Sequence, residues 1–444
     1  MQSGQGVSDA APLRRGSGPL SSASGRARRP RRALLIVPDL LQPASVDEVA
    51  HALARASRAK LRVAVHGGGT KVGWGPPPPA DVGISTRRLD AVVAHRYGDL
   101  TATVQAGATL AAVNRELARH GQWIPLDPPS ADRATIGGIV ATNDAGPRRH
   151  RYGTPRDLII GIDIVRIDGT AAKSGGIVVK NVAGYDLGRL MTGSFGSLAV
   201  ITSATFKLYP IPAASRTVVI DVSEDARLKG SRYLTDTRSA SLSGERPFDR
   251  LDAIVSSLLA SQLTPTAIEL ETKPLRLLVR FESIEAAATE QARQATRIAE
   301  SNGAGTTIVA GADETALWEA HERRAWEDDG AVIKLTLLPK DLSATLAWLA
   351  STGEAWEMIG RAGVGALLLR VDGDAAAQAR VLKDLRARFA PGRGSAVLVR
   401  GSEALKALVD VWGPPGDSLP LMRAVKQQFD PEGLLNPGRG PFGL

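Results

Sequence analysis

Apolar positions recur at helical spacing from residue 46, with Val46, Val49, Ala50 and Leu53 on one face. Ser45 and Glu48 form a Ser-x-x-Glu capping box, so the pattern predicts a helix running to about Lys60. The next apolar run, 61–65, is short, reads as a buried strand, and leads directly into His66-Gly67-Gly68-Gly69-Thr70-Lys71. Gly73, Gly75 and Pro76 to Pro79 come next, so no helix follows the glycines. Residues 89–95 and 101–106 read as paired strands around a turn at Gly98-Asp99. A helix is expected from Thr109 to His120, with Gly121 just past its end. Residues 158–167 and 198–208 are further strands, the first turned back at Asp168-Gly169.

The texture changes near residue 213. Strand-like runs at 275–281, 332–338, 366–371 and 396–400 alternate with alanine-rich helical stretches at 284–302, 341–350 and 374–389, the pattern of a second α+β domain. Residues 223–250 are polar and read as a loop or insertion, and one more helix is expected at about 419–429. The expected organisation is a basic tail over 1–32, a first domain over 33–212, a second over 213–412 and a C-terminal segment over 413–444.

Composition narrows the class. The 444 residues are 43% hydrophobic and 23% charged, ordinary for a soluble enzyme of two or three domains. No apolar run approaches the roughly 18 residues that a membrane helix needs. Residues 1–32 hold seven arginines and one acid, Asp9, so the tail carries most of the +9 net charge and the body is nearly balanced, which argues against nucleic acid as a partner. Arg14-Arg15 lacks the apolar stretch a twin-arginine signal requires, so the tail reads as disordered. There is no cysteine, hence no disulfide, thiolate nucleophile or cysteine-ligated iron–sulfur cluster on this chain. None of the six histidines is spaced as a zinc pair, and no metal site is expected.

The candidate chemistry lies in glycine-rich runs. Consecutive glycines at 67–69 expose backbone N–H groups that can cradle phosphate oxygens; a tight turn is the plainer alternative. No Gly-Lys dipeptide is present, so there is no Walker A loop. Gly438, Gly440 and Gly443 match G-x-G-x-x-G only formally, with no helix beyond them. A second cluster joins Asp127-Pro128-Pro129 to the run from Thr135 through Ile136, Gly137 and Gly138 to Thr142 and Asn143. Two glycines in that helical stretch cost about 1 kcal/mol each relative to alanine, so a ligand or a close backbone crossing must lie against them. A third cluster runs through Lys180, Gly184-Tyr185-Asp186-Leu187 and Gly193-Ser194-Phe195-Gly196 to Ile201-Thr202. In the second domain Lys334, Arg370 and Arg400 lie on or at the ends of strands and are candidates to bind a carboxylate.

Taken in order, these motifs resemble the FAD-binding domain of the vanillyl-alcohol oxidase/p-cresol methylhydroxylase superfamily. Residues 429–439, with Asp430-Pro431-Glu432-Gly433 and Asn436-Pro437-Gly438-Arg439, match its closing signature. Within it the chain resembles the E-type FAD-binding subunits of glycolate oxidases, on Asp410-Val411-Trp412-Gly413, Leu421-Met422-Arg423 and Lys426-Gln427-Gln428-Phe429. The D-type subunits carry metal- and carboxylate-binding histidines in the substrate domain, whereas here no histidine follows His321.

The resemblance implies an α+β fold: a two-subdomain FAD-binding domain of the p-cresol methylhydroxylase type, plus an α+β cap domain with an antiparallel sheet. It places the FAD pyrophosphate on Gly67, Gly68, Gly69 and Thr70. Pro128, Thr135, Gly137, Gly138, Thr142 and Asn143 would line the flavin and ribityl region, and Ile201 would touch the ring system through its main chain. Thr70 stands where many members carry a linking histidine, and His66 reads as a strand-end residue, so FAD is expected to be non-covalent. The implied activity is oxidation of glycolate or a related 2-hydroxy acid by hydride transfer to FAD. The implied partners are a second FAD-linked subunit and an iron–sulfur subunit, with the chain cytoplasmic or held at the inner face of the membrane through them. Two alternatives stay open: a non-catalytic flavin-binding or electron-relay subunit, and a self-contained FAD-linked oxidase.

Overall fold

The helix Val46–Arg58 begins where its cap predicts. Ser45 Oγ accepts from Glu48 N at 3.1 Å, and the Glu48 carboxylate reaches back to Ala44 N at 2.8 Å. The structure, a computed structural model, describes residues 39–177, 184–223, 247–327, 329–389 and 392–444. The tail expected over 1–32 and most of the polar stretch at 223–250 lie outside these residues; the last part of that stretch enters the helix Pro247–Ala260.

Val49, Leu53 and Ala56 of the first helix are buried in one cluster with Val63, Val82 and Ile84 of a three-stranded parallel sheet. Its order is Asp39–Leu41, Val82–Ser85, Val63–His66. A five-stranded antiparallel sheet follows, in the order Val92–Arg96, Thr101–Gln105, Val200–Lys207, Ile159–Val165, Ala171–Gly175. The helices Leu110–Leu117 and Ile136–Thr142 share its core through Leu110, Val113, Leu117, Ile136, Ile139 and Val140. These two sheets are the two subdomains expected of the first half.

The second half is an eight-stranded antiparallel sheet. Its order is Gly305–Val309, Ala214–Asp221, Leu275–Ser283, Ala267–Thr272, Trp356–Arg361, Ala366–Val371, Ala331–Leu337, Gly394–Arg400. Ile268, Leu270, Leu277 and Val279 pack in one cluster with Ala292, Ala295 and Ala299 of the helix Glu285–Ser301, whose small side chains let the helix lie close on the strands.

The alternate residues of the same strands are not solvated. Glu269 and Glu271 are 1% and 0% exposed and clasp the buried His321 from both sides, at 3.0 and 2.8 Å. Arg361, Arg324 and Arg276 complete this buried ionic layer. It meets the first half through the Arg148–Glu282 ion pair at 2.7 Å and through Arg361, which donates to Ala145 O at 3.0 Å. The α+β architecture with an antiparallel cap sheet is therefore as expected.

The C-terminal helix Leu419–Phe429 leads into a segment that returns to the first sheet. Asp430, 1% exposed, accepts from Lys426 Nζ and from the amides of Leu434 and Leu435, which fixes the turn. Leu435 then bridges Val63 in parallel. No helix among the described residues is long and apolar enough to cross a membrane.

Candidate functional site

The strand Val63–His66 delivers the glycine run to the mouth of a groove. Gly67 and Gly68 are glycines because of a close approach: a Cβ on Gly67 would fall 2.1 Å from Thr135 Oγ1, and one on Gly68 would fall 1.8 Å from Arg133 O. Thr135 is the N-cap residue of Ile136–Thr142, and its hydroxyl accepts from Gly68 N at 3.3 Å. Arg87 donates to the carbonyls of Gly67 and Gly68, both at 3.3 Å. Because each carbonyl opposes the N–H across its own peptide plane, Arg87 sets which way the run's N–H groups face. Gly69 has φ +73° and open space where a Cβ would lie.

Four cavities follow one another from this run. The first is lined by Val65, His66, Thr86, Gly137, Gly138 and Ile201, among others. The second shares His66, Gly67 and Gly138 with it and adds Gly68 to Val72, Thr135, Thr142 and Arg439. The third shares Thr142 and Phe195 with the second and reaches Trp74, Lys334 and Trp412. The fourth shares Trp74 and Lys334 with the third and holds Pro129, Asp144, Arg149, Trp326 and Arg361. The groove thus runs from the seam of the two small sheets to the ionic face of the large one.

The residues expected to line it are distributed along this path. Gly67, Gly68, Gly69, Thr70, Thr135, Gly138 and Thr142 meet in the second cavity. Gly137 lines the first, but its lack of a side chain also serves a backbone crossing, since a Cβ there would sit 2.9 Å from Ala106 Cβ. Ile201 lines the first cavity, which has no residue in common with the cavity of Arg149. Pro128 is buried outside all four, and it is Pro129 that faces the fourth. Asn143 closes the helix at φ 46° and does not line them; its Oδ1 is buried with no hydrogen-bond partner among the described residues. Of the third glycine cluster, Phe195 and Gly196 line the groove, while residues 178–183 lie outside the described ones.

The three cap cations separate. Lys334 lines the third and fourth cavities, with its ammonium 5.6 Å from the centroid of the Trp74 ring. Burial pushes its pKa down; Asp144 opposes this, and Arg149, Arg361 and Lys71 add to it. Arg370 is held by Glu357 at 3.1 Å, Asp372 at 3.2 Å and Arg324 O at 3.0 Å. Arg400 donates to Gly330 O and Trp326 O. Neither arginine lines the four cavities; both tie strand ends to the loop ahead of Ala331.

Several groove residues went unmarked in the sequence. Lys71 and Asp144 form a buried pair at 2.7 Å beneath Trp74. Arg149 and Arg361 enter the fourth cavity with no motif to mark them. Asn436 is 1% exposed and fully bonded: its N donates to Val63 O, its Oδ1 accepts from Val65 N, and its Nδ2 donates to Phe195 O and Gly196 O. Arg439 is 7% exposed and lines the second cavity. Both stand in the closing signature, which was the one available signal. His66 lines the first two cavities; burial holds its pKa below the usual value despite the Gly67 hydrogen bond, and Arg87 and Arg439 act in the same direction as burial.

The residues present suit a long ligand with an anionic middle and a flat end. N–H groups and a buried guanidinium lie at the glycine run, and Trp74, Phe195 and Trp412 lie beyond it. At the far end Trp326 Nε1 and Trp412 Nε1 are buried without hydrogen-bond partners among the described residues, and Arg361 Nε faces Glu269 Oε1 at 3.5 Å.

Comparison with known proteins agrees with this geometry. Residues 39–175 match the FAD binding domain family, and residues 411–439 match the C-terminal domain of FAD linked oxidases. The chain is 30% identical over 421 residues to the mitochondrial D-2-hydroxyglutarate dehydrogenase of Bos taurus, a match covering 90% of this chain and 76% of that one. It is 29% identical over 248 residues to glycolate oxidase subunit GlcD of Bacillus subtilis (55% and 47% covered). It is 36% identical over 165 residues to glycolate oxidase subunit GlcE of Escherichia coli (37% and 47% covered). Both glycolate oxidase matches thus span about half the length of those relatives. Among solved structures, alkyldihydroxyacetonephosphate synthase superposes with a TM-score of 0.64 at 17% identity, covering 90% of this chain and 75% of that one, a likeness of fold.

Proposed function

Since the chain belongs to the vanillyl-alcohol oxidase/p-cresol methylhydroxylase superfamily of FAD-linked oxidoreductases, we propose that it is the FAD-binding subunit of a glycolate oxidase-type complex acting on glycolate or a related short 2-hydroxy acid. The observation that carries this reading is the meeting, at Trp74 and Lys334, of a glycine-lined groove with a cation-lined cavity.

Bound in the groove, FAD supplies an acceptor for the hydride of the substrate carbinol. The glycine run and Thr135 hold the middle of the cofactor, and Trp74, Phe195 and Trp412 enclose the flavin end. Lys334 binds the substrate carboxylate, with Arg149 and Arg361 raising the positive potential of the cavity. Asp144, tied to Lys71, keeps one negative group beside Lys334 and stabilises its charged form. Trp326 and the apolar Leu367 and Leu368 limit water there.

Cofactor attachment is non-covalent in this reading, because Thr70 occupies the place of a linking histidine and His66 is tied to Gly67 O. Precipitating the purified protein with acid leaves the yellow flavin in the supernatant; colour in the pellet rejects non-covalent attachment.

Partner dependence is part of this reading. With no cysteine it holds no cysteine-ligated iron–sulfur cluster, so electrons leave to another carrier. The similarity to subunits named GlcD and GlcE supports a complex with a second FAD-linked subunit and an iron–sulfur subunit. Dye-linked glycolate oxidation is then weak for the purified chain and restored on co-expression with those partners. Full turnover by the lone chain favours a self-contained dehydrogenase. Inactivity of the complete complex with every 2-hydroxy acid tried rejects the substrate class.

A further inference from the structure

Arg439 is a buried cation in the glycine-lined groove, and the described residues supply it with no counter-charge. Its Nη2 donates to Lys71 O at 2.8 Å, which ties the C-terminal segment to the end of the glycine run. Among the described residues its buried Nη1 has no hydrogen-bond partner and no carboxylate pairs with it. Burial pushes its pKa down to about 10, and no neighbouring acid raises it. Lys71, the other buried cation at this end of the run, is answered by Asp144 at 2.7 Å. An ionised group withdrawn from water without a partner is strongly disfavoured, so the arrangement suits a ligand that brings the anion.

The surroundings of Arg439 say which part of a ligand that is. It lines the same cavity as Gly67 to Val72, Thr135 and Thr142, and neither of the two cavities that hold Lys334. The carbonyls of Gly67 and Gly68 are engaged by Arg87 and the Gly68 N–H by Thr135 Oγ1, so it is the Gly69 amide, opposite the Gly68 carbonyl, that is turned away from Arg87. N–H groups in series and a planar guanidinium fork both match the geometry of phosphate oxygens. His66, which shares this cavity and feels the charge of Arg439, carries no negative charge in either form.

We infer that Arg439 binds the diphosphate of FAD through its free Nη1 edge, so that the C-terminal segment supplies the cation that the glycine run lacks. The assignment rests on the reading that the groove takes FAD.

The test uses the full chain stripped of flavin and titrated with FAD and with riboflavin, which lacks phosphate. Arg439→Met weakens FAD binding roughly ten- to a hundredfold, and Arg439→Lys weakens it less. Riboflavin affinity and the midpoint potential of the bound flavin stay at their wild-type values. An FAD affinity of Arg439→Met within threefold of wild type overturns the assignment, as does equal weakening of riboflavin, which would put the contact on the ring. ADP carries the diphosphate without the flavin, so it raises the melting temperature of the wild-type apoprotein and competes with FAD. If millimolar ADP does neither, the assignment fails even should Arg439→Met not fold. A wild-type chain that takes up no FAD overturns the cofactor reading itself, a result distinct from a loss confined to the variants.

Discussion

The side-chain carbonyl of Asn436 accepts a hydrogen bond from the Val65 amide at 2.9 Å across 371 positions of sequence. The same side chain donates to Phe195 O and Gly196 O, so one buried amide holds together three separate walls of the groove. Asn436→Ala removes the side-chain partner of one part-buried N–H and two part-buried carbonyls. The expected cost is roughly 2–4 kcal/mol in urea unfolding, with low flavin content after purification. Asn436→Asp sets a carboxylate oxygen against the two carbonyls and is expected to be worse than the alanine variant in the same assay. A variant as stable as wild type would show that these bonds do not hold the groove.

The glycine run offers a paired comparison. Gly68→Ala drives a Cβ into Arg133 O and must displace the backbone ahead of Thr135, so both stability and flavin retention fall. Gly69→Ala meets no atom and pays only for its positive φ, about 1 kcal/mol. Melting curves and flavin absorbance of the two variants, measured side by side, are expected to separate clearly. Gly68→Asp is expected to harm folding as well as flavin binding, because the collision begins at the Cβ.

Lys334→Met is expected to raise KM for the 2-hydroxy acid roughly ten- to a hundredfold while flavin content stays normal. Because burial lowers the Lys334 pKa, its charged form is lost at a lower pH than that of an exposed lysine. KM therefore climbs on the alkaline side, and Lys334→Arg moves that climb to higher pH. A KM that stays flat up to the ordinary lysine value of 10.5 in the wild-type complex would remove Lys334 from the substrate.

His321 gives a pH signature of stability that is separate from catalysis. Burial lowers its pKa, but the hydrogen bonds and charges of Glu269 and Glu271 outweigh burial and raise it above the ordinary value. Its stabilisation is fully present below the ordinary histidine pKa, about 6.5, and fades as pH rises through the folded value. His321→Gln should thus be markedly less stable than wild type at pH 6, with the gap narrowing as pH increases. A constant gap across the range would mean that the imidazolium adds nothing to the layer.

Local elements were legible because their signals are local. Ser45 caps its helix, Gly121 ends the helical stretch after Thr109 with φ 65°, and the last helix spans Leu419–Phe429, where one was expected. The strand Ala267–Thr272 was not read because its glutamates look like a solvated face, whereas they form a buried layer with arginines from other strands. Lys334 was legible only as one of three equivalent cations. What separates it from Arg370 and Arg400 is that those two have partners supplied by Glu357, Asp372, Gly330 and Trp326, a matter of tertiary closure. Arg87 and Arg361 carried no local sign, since a lone arginine in sequence is most often a surface residue.

The return of residues 434–439 to the strand Val63–His66 sets an order of events during synthesis. The glycine run emerges from the ribosome early, yet the Asn436 staple and the Arg439 cation that complete its groove are made more than 360 residues later. Flavin loading is thereby expected only after residue 439 has been made, and a nascent chain arrested before residue 430 should hold the first two sheets without holding the cofactor.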